Sequence, residues 1–233
     1  MNSLPLPATG LDRLRENGRV MALVPVEPQP VLVDGRWIWN KTGEWIVQDR
    51  VPKVGAVWGA GMWNPGQTGA AGLTQLCPYH PGQRVWVPEP STLCRYESNP
   101  PRLLVRYGNG ACKTIETEQA HDLFHRYNFG AVPAADAPEE AARTFATVAD
   151  VKPSVQVGKL TLDEIEQCGV YMDILPACGD HPDLECWVTG PPPAHAHITS
   201  REAIAEMYPN LDRTAWVWRV QLTAAPAVQP KGK

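Results

Sequence analysis

Sulfur, imidazole and carboxylate groups mark where this sequence could do chemistry. Cys178, His181 and Cys186 cluster in a late segment, and His195 and His197 follow, so donors that ligate zinc stand close together. A structural zinc ion would staple such a segment, because metal binding adds directly to folding free energy. The spacing lacks the paired Cys-x-x-Cys of a strong zinc signature, and free thiols beside surface histidines fit it better, so no cofactor is expected. His121 and His125 are four residues apart. On a helix that puts both imidazoles on one face, a spacing that can chelate a cation, although most such pairs are ordinary surface residues. No serine sits in a Gly-x-Ser-x-Gly setting, and Gly59-Ala-Gly61 lacks the strand–helix context of a dinucleotide fingerprint.

A second constellation would suit an unpaired base. Glu89 stands between Pro88 and Pro90, which restrict the local backbone. In a cleft its carboxylate would accept hydrogen bonds from a base edge or an exocyclic amine; otherwise it is an exposed group ending a strand. Trp58 and Trp63 fall in a Gly-rich stretch, where large aromatics are costly to expose. They would form a lid on the core or stack a base, worth about 1–3 kcal/mol per base. Arg84 and Arg19 would hold phosphate or sugar.

These residues need a scaffold of strands and short helices. Residues 8–19 predict a helix with Gly18 as its C-cap. Val31–Trp39, with Asp34-Gly35 at its centre, predicts a hairpin. Residues 55–72 show no period and predict a loop, and Arg84–Val87 a strand closed by Pro88. Residues 103–107 and 111–115 predict a second hairpin, followed by an amphipathic helix over 116–129 and a surface excursion over 130–143. Val155–Val157 predicts a strand. Thr161 with Glu164 and Thr199 with Glu202 match capping boxes that start helices. Residues 171–198 predict a long loop excursion. In the closing strand, Trp216–Leu222, the residues Trp216, Trp218, Val220 and Leu222 share one face, with Arg219 and Gln221 on the other. The expected class is α+β: one curved sheet or mixed β-barrel, with short flanking helices and long loop insertions.

Composition narrows the function. The chain has 233 residues, 43% hydrophobic and 20% charged, with 24 Pro and 19 Gly, which suits a real core and many turns. A net charge of −4 argues against wrapping nucleic acid over a basic surface, though not against a local basic cleft. No apolar run reaches the length of a membrane span, and the first residues lack a secretory pattern, so no membrane partner and a cytoplasmic location are expected. Six cysteines do not make a disulfide scaffold at this length.

Four segments, in order, resemble the phage- and prophage-type ASCH family of the PUA-like superfamily. They are Leu14 to Pro30, with its Gly18-Arg19 and Val26-Glu-Pro-Gln-Pro30; the block from Cys77-Pro-Tyr through Arg84-Val-Trp-Val-Pro-Glu89; the strand and Glu-rich helix of 155–170; and Ala215-Trp-Val-Trp-Arg-Val220. They span about a third of the chain. The resemblance implies a single PUA-like domain over 1–223, with insertions at about 130–150 and 171–198, and a flexible tail over 224–233. It also implies recognition of RNA or a modified nucleoside in the barrel cleft, in a host-cell cytoplasm. In the family's acetylcytidine amidohydrolases a lysine and a threonine follow Gly-Arg. Here that stretch is Val20-Met-Ala-Leu-Val-Pro25, and of the family's Arg-Glu-Thr only Glu89 remains. Valine and methionine carry no transferable proton, so loss of that reaction is expected. Binding through Glu89, Arg84, Arg19, Trp58 and Trp63 then leads; a hydrolase with another base, and an accessory protein that docks a host protein, are the alternatives.

Overall fold

The helix Ala8–Asn17 turns Leu11 and Leu14, three residues apart, into the core and ends where Gly18 takes a left-handed conformation, φ 70°. Glycine adopts that geometry without a Cβ penalty, and the chain reverses directly into the strand Arg19–Pro25. The computed structural model describes residues 2–27, 29–34, 36–39, 43–46, 59–63, 74–176, 183–189 and 196–226, with backbone alone at 36–39, 43–46, 59–63 and 74–76. These residues fall into two compact units, one of residues 2–6, 84–147 and 224–226, the other of residues 7–83 and 148–223.

In the larger unit, Arg19–Pro25 pairs antiparallel with Trp216–Ala225, from Arg19 opposite Thr223 to Pro25 opposite Val217. Prolines in Val26-Glu-Pro-Gln-Pro30 cannot continue that ladder. The Gln29 side chain replaces it, donating to the Val26 and Trp216 carbonyls at 2.8 and 2.9 Å and accepting from the Trp216 amide at 2.7 Å. Trp216, Trp218, Val220 and Leu222 are buried as the alternation predicts; Val217 is buried too, against Met21, Leu23, Ile165 and Ile204. Both capping boxes form, starting the helices Leu162–Gln167 and Ser200–Met207. Gly169, at φ 112°, lets the end of the first of these helices approach Ala8–Asn17: a Cβ there would lie 3.1 Å from the Thr9 and Gly10 backbone.

The hairpin Val31–Val33/Arg36–Trp39 forms around Asp34, at φ 49°. It opens a meander continued by Gly43–Ile46, Gly59–Trp63 and Thr74–Leu76. Gly59–Trp63 corrects the expected loop over 55–72: glycine has low strand propensity, but pairing on both sides overrides it. The expected excursion over 171–198 contains a hairpin, Tyr171–Leu175 against Leu184–Val188, with Ala196–His197 as a third strand. Its first strand carries apolar residues on both faces, which hides the two-residue period.

In the smaller unit, Asn2–Ser3 runs parallel to Arg84–Val87, which pairs antiparallel with Thr144–Thr147. A second sheet has the order Cys112–Glu116, Pro101–Tyr107, Ser91–Ser98, Ala131–Val132. The helix Ala120–Tyr127 packs on it through Leu123, over Leu93, Leu103 and Ile115. That helix is shorter than 116–129, because Glu116 stays in its strand and Asn128 and Phe129 turn left-handed, at φ 39° and 62°. The expected surface excursion holds a paired strand and buried Ala137, Ala141 and Ala142. Thr144–Gln156 is one 13-residue strand, of which the sequence pattern predicts only the end, since Asp150 and Pro153 interrupt the apolar run. Likewise Ala224 and Ala225 extend the closing strand instead of starting a tail. The hairpins at 31–39 and 103–115 lie in sheets of their own, so the expected strands do not all join one sheet, and none closes into a barrel among the described residues.

Candidate functional site

Glu89 follows the strand Arg84–Val87 in the smaller unit, and it is a buried carboxylate, not an exposed group ending a strand. The residue is 5% exposed. One carboxylate oxygen accepts from Arg143 Nη2 at 2.5 Å, the other from Thr144 Oγ1 at 3.3 Å. The Arg143 guanidinium lies 3.7 Å from the Tyr107 ring centre and also donates to Asn109 Oδ1 at 3.1 Å. The Tyr107 hydroxyl donates to the Ala141 carbonyl; burial, opposed by Arg143 and aided by Glu89, pushes its pKa up to about 12. Lys113 Nζ donates to the Ala142 carbonyl at 2.9 Å, and burial, followed by the Arg143 charge, holds its pKa below the ordinary lysine value. This cluster ties the 84–90 segment to the 101–116 hairpin and to residues 139–144. It is an internal clamp.

Arg84 is also committed within the chain: Nη2 donates to the Pro226 carbonyl at 2.5 Å, and the cation lies 5.5 Å from the Phe145 ring centre. Trp63 is in a strand for which only the backbone is described, and Trp58 lies outside the described residues. Cys178, His181 and His195 also lie outside them. Of the remaining zinc candidates, Cys186 is buried with its thiol 3.5 Å from the Asp173 carbonyl, and His197 Nε2 lies 2.5 Å from Glu206. Among the described residues no three such ligands converge.

Arg19 is the exception. It is exposed and lines a cleft of about 530 Å³ in the larger unit, together with Arg13, Gln167 and Gln221. The geometry follows from the local fold. Arg13 comes from the first helix and Arg19 from just beyond its glycine cap; Gln167 ends the Leu162–Gln167 helix, and Gln221 stands on the polar face of the closing strand. Gln221 Nε2 donates to Gln167 Oε1 at 3.3 Å, and Gln167 Nε2 donates to Asp163 at 2.6 Å. Val20, Ala149, Leu222 and Thr223 complete the lining, and no carboxylate is among the described residues that line it. Two guanidinium forks suit the paired oxygens of a phosphate. The carboxamide pair offers a donor and an acceptor for a base edge or a sugar hydroxyl. Sequence reasoning passed over Arg13 and Gln167; the signal for Gln221 was present in its alternation with Arg219.

On the same face of the closing strand as Gln221, Arg219 donates to Glu164 and, through Nε and Nη2, to the Pro153 carbonyl at 3.1 and 2.8 Å. Burial pushes the Glu164 carboxyl up, but the Thr161 amide and Arg219 outweigh it and hold it below the ordinary glutamate value. Compared with protein-family models, curated proteins and solved structures, the chain matches none.

Proposed function

We propose that this chain is a binding module for RNA or a modified nucleotide, and that its ligand sits in the Arg13–Arg19–Gln167–Gln221 cleft. The carrying observation is that two guanidiniums and two carboxamides line one cleft whose described walls hold no carboxylate. The resemblance to ASCH proteins supports the same ligand class, with the contacts moved from Glu89 to the mouth of the Arg19–Pro25 strand. Val20, Met21, Ala22 and Leu23 are each at most 5% exposed, so the stretch where the family's hydrolases need a lysine and a threonine is packed into core. This favours binding over hydrolysis of acetylcytidine.

The test is fluorescence anisotropy with a short labelled single-stranded RNA carrying a terminal phosphate. Arg19→Ala and Arg13→Ala should each weaken binding about 5- to 50-fold, the range of a partly exposed charge-assisted contact. Glu89→Gln should leave affinity unchanged in protein that remains folded. Absence of binding at high micromolar RNA would favour a second reading, docking of a host protein. For that reading the relevant feature is the hairpin bearing Met172, Ile174, Leu175 and Leu184, each 44–55% exposed.

A further inference from the structure

His121 and His125 lie one turn apart on the helix Ala120–Tyr127, and both are exposed. Their ring centres are 4.2 Å apart and their planes inclined by 68°. Two imidazoles that share a cation, each nitrogen about 2.0–2.1 Å from it and at right angles, have ring centres roughly 4.5 Å apart. The helix holds the pair near that separation.

The first ring is also oriented from behind. His121 Nδ1 is 3.2 Å from the Tyr96 hydroxyl, and the Tyr96 ring is stacked on Phe124 at 4.7 Å and 14°. In the tautomer that donates Nδ1–H to that hydroxyl, the lone pair lies on Nε2, directed away from Tyr96. An outer partner of this kind fixes the tautomer and the orientation of the ring. His125 rests edge-on against Phe124, with ring centres 5.7 Å apart. Asp122, between the two histidines in sequence, instead lines a cavity of about 590 Å³ with Gln119, Arg126 and Asp136.

We propose that His121 and His125 form a surface site for a late divalent transition-metal ion, taken up most tightly as Cu2+ and more weakly as Ni2+ or Zn2+. Two neutral nitrogen donors with solvent at the remaining positions suit the tetragonal preference of Cu2+, whereas Ca2+ and Mg2+ require oxygen donors. The site stands in the smaller unit and does not depend on the RNA reading.

The experiment is a titration of the full chain with Cu2+, read by calorimetry and by the nitrogen hyperfine pattern in electron paramagnetic resonance. Other histidines bind Cu2+ weakly, so the result is the difference between the protein and the His121→Ala/His125→Ala double variant. One bound equivalent with two coupled nitrogens should disappear in the double variant, and either single substitution should weaken it at least tenfold. Tyr96→Phe should weaken it about 10- to 100-fold, as loss of an outer-shell partner does, with an unchanged melting curve. Equal stoichiometry and affinity in the double variant would overturn the site. Full affinity in Tyr96→Phe would overturn the orienting role of the hydroxyl.

Discussion

Both oxygens of Glu89 accept hydrogen bonds from their own chain, and the Arg143 they hold is itself stacked on Tyr107. Removing one partner of such a pair leaves the other buried without a counter-charge, which is where the large cost of a buried ion pair lies. Glu89→Gln should therefore lower unfolding free energy by about 2–4 kcal/mol, measured by urea denaturation. Glu89→Gln combined with Arg143→Met should recover part of that loss, because the stranded guanidinium is gone. A Glu89→Gln change below about 0.5 kcal/mol, typical of an exposed side chain, would show that the clamp carries no stability. The prolines around Glu89 said only that its backbone was restricted. What the carboxylate faces was set by Arg143 and Thr144, more than fifty residues later in the chain, and no local pattern reports such a partner.

At the level of elements, the Leu162–Gln167 helix depends on one residue twice over. Glu164 closes the capping box with the Thr161 amide at 3.0 Å and also accepts from Arg219. Its carboxyl is held below the ordinary glutamate pKa. The folded form therefore binds a proton less readily than the unfolded chain. The stabilisation is complete above the unfolded glutamate pKa, about 4.3, and is lost as pH falls through the lower folded value. Glu164→Gln should lower stability at neutral pH and flatten the fall in melting temperature between about pH 5 and pH 3. An unchanged acid slope would remove Glu164 from that account. Thr161→Ala should cost about 0.5–2 kcal/mol through the cap alone, seen as a lower urea midpoint with unchanged slope. The caps, the glycine stop at residue 18, the Asp34 turn and the alternation of 216–222 were readable because each is a local rule satisfied by adjacent residues. Ser91–Ser98, Gly59–Trp63 and most of Thr144–Gln156 were not, because tertiary pairing makes strands of glycine-, proline- and charge-bearing segments. The cleft was half visible: Arg19 and Gln221 had signals, while Arg13 and Gln167 joined them only through the packing of helices on the sheet.

For the whole molecule, charge limits how any nucleic acid could be held. The net charge of −4 gives no long-range attraction for a polyanion, so affinity must come from contacts made inside the cleft. Arg13 and Arg19 are the two cations among the described residues that line it, which allows one or two phosphate contacts. Each phosphate neutralised on a single strand contributes a slope of about −0.7 in log affinity against log salt. One or two contacts then predict a loss of only about 3- to 7-fold between 50 and 200 mM salt, against the 10³- to 10⁵-fold loss of proteins that bind six to ten phosphates. Arg19→Ala should reduce the slope by about 0.7 as well as the affinity. A Gln221→Ala change should weaken binding without altering the slope, because a carboxamide releases no counterion. The measurement is anisotropy with one labelled RNA at four salt concentrations for the three proteins. A slope steeper than about −3, or one that Arg19→Ala leaves unchanged, would mean that the polyanion is held elsewhere on the surface and would detach the cleft from nucleic-acid binding.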